Sequence, residues 1–227
     1  MTISSAVSAQ SVNITKGGDE IAWYKLESID QIQFNPAKVY YYEPFDWTKD
    51  ASLNTDTKGY NTLGDPIGTS GKAWARVAIC GNETATGLLE ASGLTAFSPI
   101  NDTYKTIYNL QWGYFNFNDG KQQGAGFILP EIDFPEDPTE VVVSAKLARS
   151  NGEKPSVVVE TFEGEYVKDA ATVSEPQVIT PSVTNVWQTM KFVVTVKKGT
   201  RIAIHSVAPA SGNCRYYIDD ICVTDNI

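Results

Sequence analysis

Residues 190–207 read MKFVVTVKKGTRIAIHSV, and this stretch decides the fold class. Four of its apolar side chains share one face of an extended chain: Met190, Phe192, Val194 and Val196. A period of two residues is the pattern of a half-buried β-strand. Lys198-Gly199 is a turn signal, and residues 201–207 follow it as a second apolar segment. The stretch therefore predicts two β-strands joined by a turn.

The strand pattern extends through the rest of the C-terminal ninety residues. Residues 141–148 and 157–162 predict two strands, and Asn151-Gly152 between them is a hairpin-type turn signal. Residues 216–223 predict a final strand, whereas no segment shows a sustained period of 3.6 residues. We therefore expect an all-β protein with little helix.

Composition narrows the classes of function. The chain has 227 residues, of which 42% are hydrophobic, so it is long enough to bury a sizeable core. Its formal net charge of -9 argues against nucleic acid as a partner, because phosphate binding requires Lys and Arg. No run of 18 apolar residues is present, so the sequence predicts no transmembrane helix.

Three segments are expected along the chain. Residues 1–10 end in Ala6-Val7-Ser8-Ala9-Gln10, whose small residues suit either the tail of a signal peptide or a disordered polar start. Residues 11–36 predict a small N-terminal β-hairpin unit, with strands at 21–26 and 31–34. Residues 37–227 are expected to form the main β-sandwich.

Residues 17–34, GGDEIAWYKLESIDQIQF, resemble a short N-terminal segment of secreted proteins from gut-type anaerobic bacteria. In those proteins a Gly-rich turn leads into a strand and then a spaced L-x-x-I-x-x-I-x-F pattern. The resemblance implies export, and a secreted or cell-surface location.

A second resemblance covers most of residues 39–225. Its landmarks are YYEPFDW at 41–47, LPEIDFP at 129–135, VWQTMKFVVTV at 186–196 and YYIDDICVT at 216–224. They are similar to those of carbohydrate-binding-module-like (galactose-binding-like) jelly-roll domains. The resemblance implies a two-sheet jelly-roll β-sandwich in which the first and last strands are adjacent. It also implies a glycan as the partner.

The adjacent end strands suggest a metal site. Four carboxylates would then come together: Glu43, Asp46, Asp219 and Asp220. Oxygen ligands of this kind favour one structural Ca²⁺. The alternative is that Asp219 or Asp220 accepts backbone hydrogen bonds at a strand end.

Aromatic residues supply the candidate sugar platforms. The predicted ligand-binding residues are Trp112, Tyr114, Trp74, Tyr60 and Asn116. In the alternating segment 112–117, Phe115 and Phe117 are expected to face the core while Trp112 and Tyr114 face the other way. The alternative for each aromatic residue is packing within the sandwich, and Trp187 in particular resembles a structural tryptophan.

A catalytic motif is a weaker possibility. Glu131, Asp133 and Glu136 match the E-x-D-x-x-E pattern of retaining endoglucanases with a jelly-roll fold. Retaining chemistry requires two carboxyl groups about 5–5.5 Å apart. Pro135 argues against a central strand here, because proline cannot donate to a β-ladder. The alternative is a strand boundary.

Histidine and cysteine complete the inventory. His205 is the only histidine and lies in a predicted strand, where a structural role is expected. Cys214 and Cys222 would lie about 26 Å apart along one strand at about 3.3 Å per residue. A disulfide requires Cα atoms within about 7 Å, so any bridge would involve Cys80.

Three functions follow from these observations. The first is a non-catalytic extracellular carbohydrate-binding protein. The second is a structural or adhesive surface protein that binds other proteins. The third is a glycoside hydrolase that uses Glu131 and Glu136.

Overall fold

The chain divides into two compact units, Met1–Pro36 and Ala37–Ile227. A computed structural model describes the residues 11–16, 19–25, 37–49, 83–101, 108–111, 113–117, 124–149, 153–167, 173–184, 186–207 and 214–226. No helix among these residues is long and apolar enough to cross a membrane.

The described part of the first unit is an antiparallel pair of strands, β1 (Ser11–Lys16) and β2 (Asp19–Lys25). Strand β2 corresponds to the strand predicted at residues 21–26. Its partner is the segment that precedes it, and the strand predicted at residues 31–34 lies outside the described residues.

The second unit contains eleven described strands and two short helices. The first strands are β3 (Val39–Glu43), β4 (Thr95–Phe97), β5 (Tyr108–Gln111), β6 (Tyr114–Phe117) and β7 (Gly126–Ile128). The later strands are β8 (Thr139–Arg149), β9 (Ser156–Glu163), β10 (Gln177–Ile179), β11 (Gln188–Val196), β12 (Thr200–Val207) and β13 (Tyr216–Asp225). The helices are a 3-10 turn, Asp46–Lys49, and helix α1, Glu83–Ala91.

These strands form two antiparallel sheets. The five-stranded sheet has the order β10-β9-β12-β7-β4, and the six-stranded sheet has the order β11-β8-β13-β6-β5 with β3 also paired to β13. The observed architecture confirms the expected all-β, two-sheet jelly-roll sandwich.

The core lies between the sheets and follows the predicted alternation. On β11, Phe192, Val194 and Val196 are buried, and Met190 packs against the same cluster. Phe115 and Phe117 on β6 also face the core, as predicted. Removal of these apolar side chains from water is the main force that holds the two sheets together.

The first and last strands of the second unit are adjacent, as the family resemblance implied. Tyr42 on β3 lies opposite Cys222 on β13. The register between β13 and β8 shifts between Asp219 and Cys222, and Asp220 has a positive φ of 48°. An extra residue of this kind is a β-bulge, which bends a strand and re-aims its side chains.

Candidate functional site

The outer face of the five-stranded sheet carries an unusual set of side chains. On β9, Val157 and Val159 point into the core, so the alternating residue Glu160 points outward. On β12, Ile202 and Ile204 point into the core, so His205 shares the outer face with Glu160. Two strands that are neighbours in the sheet thus place an acid and an imidazole on the same surface.

Strand register aligns one row of residues across the whole sheet. In order across the five strands, the row is Val178, Val158, His205, Gly126 and Phe97. A Cβ atom at Gly126 would lie 1.9 Å from the Ile204 carbonyl oxygen and 2.5 Å from the His205 Cα. Glycine is therefore required where β7 approaches the backbone around His205.

Tyr166 folds over this face from the chain that follows β9. Gly164 has a φ of 68°, which is readily available to glycine and turns the chain back over the sheet. The Tyr166 ring centroid lies 4.6 Å from that of Phe97 and 5.4 Å from that of Phe162. The Tyr166 hydroxyl donates a hydrogen bond of 2.9 Å to Glu160 Oε2.

His205 faces the same carboxylate. Its Nε2 lies 3.4 Å from Glu160 Oε2, which is long for a hydrogen bond. Its Nδ1 lies 3.0 Å from the carbonyl oxygen of Ser206, to which it donates. The contact with His205 and the Tyr166 hydrogen bond together lower the pKa of Glu160 despite its partial burial. Glu160 is therefore a carboxylate at neutral pH.

A cavity of about 960 Å³ is lined by Glu160, His205 and Tyr166, among other residues. Exposed valines form part of its wall: Val167, Val178 and Val207. Two further acids, Glu163 and Glu165, also line it, and Lys197 forms an ion pair of 2.8 Å with Glu163. The cavity combines an apolar wall with anionic and hydrogen-bonding groups, which suits a ligand that has both characters.

The sequence-predicted platforms lie elsewhere. Trp112, Trp74 and Tyr60 are outside the described residues. Tyr114 and Asn116 lie on the opposite sheet, and each is only 1% exposed. A sugar ring would need Tyr114 to be accessible, so the described structure offers no open platform at this residue.

Trp187 accounts for part of the burial of Tyr114. The two ring centroids are 5.3 Å apart, and the Tyr217 ring centroid lies 6.0 Å from that of Tyr114. Trp187 directly precedes β11, so its predicted structural role agrees with the contacts that it makes.

The predicted metal ligands each have protein partners. Glu43 accepts a hydrogen bond of 2.6 Å from the Phe45 amide, and burial raises the pKa of Glu43. Asp220 accepts a hydrogen bond of 2.9 Å from the Tyr42 hydroxyl and forms an ion pair with Lys146.

Asp219 takes the alternative role that the sequence left open. Its Oδ1 accepts a hydrogen bond of 2.8 Å from the Asp220 amide. Asp46, the fourth predicted ligand, lies in the 3-10 turn and is exposed. Within the part of the chain that the structure describes, no group of three or more acids, histidines or cysteines is placed to hold a metal ion. Bound Ca²⁺ stays a prediction.

The catalytic motif lies in the connection between β7 and β8 and not on a strand. The Glu131 and Glu136 side chains are 87% and 76% exposed. Glu136 pairs with Lys198 at 2.5 Å, whereas Glu131 lies 4.0 Å from Arg201. Asp133 is also exposed. The motif thus matches the strand boundary that Pro135 indicated.

Cys214 and Cys222, the two described cysteines, are not among the residues that line the cavity. Cys214 and Cys222 are both present as thiols, and Cys80 lies outside the described residues.

Sequence analysis missed the central residues of the cavity, Glu160, His205 and Tyr166. Alternation within residues 157–162 and 202–206 was enough to place Glu160 and His205 opposite the core faces of their strands. Only the strand pairing shows that these two faces belong to neighbouring strands.

No protein-family model and no curated protein matches the sequence. Among solved structures, the chain is similar to a family 4 carbohydrate-binding module, with 14% identity and a TM-score of 0.41 over 52% of this chain and 75% of that one. A family 35 carbohydrate-binding module from Cellvibrio japonicus Abf62 is 18% identical, with a TM-score of 0.36 over 51% of this chain and 74% of that one. The K3 adhesin domain of Lys-gingipain from Porphyromonas gingivalis W83 is 12% identical, with a TM-score of 0.35 over 49% of this chain and 74% of that one.

Proposed function

We propose that the chain is a non-catalytic carbohydrate-binding protein and that its glycan enters the cavity on the five-stranded sheet. The observation that carries the proposal is the pairing of an apolar wall with the Glu160 carboxylate and the His205 imidazole. The same cavity is large enough, at about 960 Å³, to take a short oligosaccharide.

The chemistry of a sugar fits both parts of this surface. One face of a pyranose ring presents C–H groups, which pack favourably on apolar and aromatic side chains such as Val178 and Tyr166. Its hydroxyl groups donate hydrogen bonds, and an ionised carboxylate such as Glu160 forms stronger ones than a neutral acceptor.

Two features favour binding over hydrolysis. A general acid in a glycosidase needs a raised pKa, whereas the pKa of Glu160 is lowered. The neighbouring carboxylate of Glu163 is already engaged by Lys197 in an ion pair of 2.8 Å. Glu160 is therefore a hydrogen-bond acceptor in this cavity and not an acid ready to donate a proton.

Glycan-array binding of the native protein tests the proposal, with Tyr166→Ala as the cavity variant. Loss of the Tyr166 ring should weaken binding at least about tenfold, because packing against the sugar and the orientation of Glu160 are both lost. Tyr42→Ala is the matched control: Tyr42 is exposed on β3 in the other sheet and also donates to a carboxylate. It should leave binding unchanged.

Trp112→Ala and an amide NMR titration locate the site independently. Glycan-dependent shifts should centre on Glu160, Tyr166 and His205. Loss of binding in Trp112→Ala with retention in Tyr166→Ala would overturn the cavity as the site. A blank array with folded native protein would overturn glycan binding itself and favour the protein-binding alternative.

We further propose that the protein acts outside the cell. The support is the resemblance of residues 17–34 to a segment of exported bacterial proteins. Fractionation of the source cells with an antibody to residues 37–227 tests this location, and recovery only from the cytoplasm would overturn it.

A further inference from the structure

Among the described residues that line the cavity, negative charges outnumber positive ones. Glu160, Glu163 and Glu165 contribute three carboxylates, and Lys197 is already engaged by one of them at 2.8 Å. His205 is the other basic side chain in this described part of the lining, and it faces Glu160. The potential inside the cavity therefore favours a cation and opposes an anion.

Glu160 has acceptor capacity to spare. Its side chain is only 19% exposed, and both of its contacts within the described chain, from Tyr166 and His205, use Oε2. A carboxylate has about four lone-pair sites on two oxygens. Oε1 can therefore accept a hydrogen bond from a ligand in a setting where water screens the charge less than at an open surface.

The His205 imidazole provides an independent sign that a ligand belongs here. The side chain is 4% exposed, it lines the cavity, and its Nε2 makes no hydrogen bond of normal geometry within the described chain. A buried polar atom of this kind costs free energy unless a ligand or water satisfies it.

We infer that the cavity selects a glycan with a free, protonated amino group, a hexosamine, and rejects uronic acids, with Glu160 as the residue that sets this specificity. The inference rests on the proposed function. An ammonium group would donate to Glu160 Oε1 and gain charge-assisted hydrogen bonding, whereas a uronate would meet like charges.

Calorimetric titration with three trisaccharides tests the inference. The probes are the trisaccharide of glucosamine, the trisaccharide of N-acetylglucosamine and the trisaccharide of galacturonic acid. The glucosamine trisaccharide should bind about tenfold more tightly than the acetylated one, the difference between a charged and a neutral hydrogen bond. The galacturonic acid trisaccharide should bind most weakly.

Glu160→Gln keeps the shape of the side chain and removes its charge. This variant should bring the affinities for the glucosamine and N-acetylglucosamine probes to within about twofold of each other, well below the tenfold charge-assisted difference. Glu90→Gln is the matched control, because Glu90 is exposed on α1 and changes the net charge equally. It should preserve the preference.

Salt provides a readout that needs no variant. Between about 0.1 M and about 1 M NaCl the Debye length falls from about 10 Å to about 3 Å, so binding of the glucosamine probe should weaken while that of the acetylated probe holds. Equal affinity for all three probes, or a preference for galacturonate, would overturn the amine specificity and leave glycan binding standing. A failure of every probe and of the array would overturn the proposed function instead.

Discussion

At the scale of single residues, the buried ion pair of Glu153 and Arg215 sets a clear stability test. Glu153 is 4% exposed, and its two oxygens accept hydrogen bonds of 2.7 Å and 2.6 Å from the Arg215 amide and Nε. Glu153→Ala leaves a largely buried guanidinium without its partner, so we expect a loss of about 3–5 kcal/mol in urea unfolding.

The control for this change is Glu136→Ala, which removes an exposed ion pair with Lys198. Exposed pairs contribute about 0–1 kcal/mol, so this variant should unfold close to the native protein. Equal losses in the two variants would show that burial of Glu153 does not set the energy of the pair.

Glu160 and Glu43 should give stability effects of opposite sign with pH. The folded-state pKa of Glu160 is lowered, so its charge stabilises the fold above its unfolded pKa, and that contribution is lost as pH falls through the folded pKa. The folded-state pKa of Glu43 is raised by burial, so its ionisation opposes folding as pH rises through its unfolded value.

Urea unfolding of native protein, Glu160→Gln and Glu43→Gln between about pH 3 and pH 7 measures both effects, since that window spans an ordinary Glu pKa of about 4.3. The stability lost in Glu160→Gln relative to native protein should be larger at the upper end of the window. The free energy of unfolding of Glu43→Gln, relative to that of the native protein, should be highest at that same end. Parallel curves for all three proteins would contradict both assignments.

At the scale of elements, Gly126 makes the close approach of β7 to β12 possible. Gly126→Ala should destabilise the fold by about 1–3 kcal/mol, because its Cβ overlaps the Ile204 carbonyl and backbone must move. Gly87→Ala is the control: among the described residues, no atom outside the adjoining helix backbone lies within 4 Å of the added Cβ, and alanine favours the helix by about 0.5–1 kcal/mol. Thermal unfolding should shift in opposite directions for the two variants.

Strand positions were predictable where one face is buried and the other is not. The alternation at residues 190–196 matches β11 because the core accepts only one of its faces. The apolar run at residues 127–133 extends beyond the observed β7, Gly126–Ile128, because Pro130 and the chain beyond it leave the sheet. Helix α1 was missed, because its nine residues are too few for a sustained helical period.

The candidate site was less predictable than the strands. The sequence-based hypothesis selected Tyr114 because it is aromatic. Burial of its ring depends on Trp187, which is distant in sequence and adjacent in space. The sequence of one strand does not show which residues of the neighbouring strands it contacts. Only a structural role was therefore predicted for His205. Its contact with Glu160 requires the register between β9 and β12, which follows from long-range packing and not from local propensity.

At the scale of the whole molecule, the cavity is built on strands that also contribute to the core, so ligand binding and global stability should be coupled. Glu160 and His205 lie on β9 and β12, whose opposite faces carry Val159 and Ile204 in the core between the sheets. A ligand that binds only the folded sandwich stabilises it by about 2.7 kcal/mol at a concentration of about 100 Kd.

The glucosamine trisaccharide should therefore raise the melting temperature of native protein by an amount that its calorimetric Kd predicts, and Glu160→Gln should show a smaller rise at the same concentration. Measured binding without any thermal shift would mean that the glycan binds a surface that persists when the sandwich unfolds.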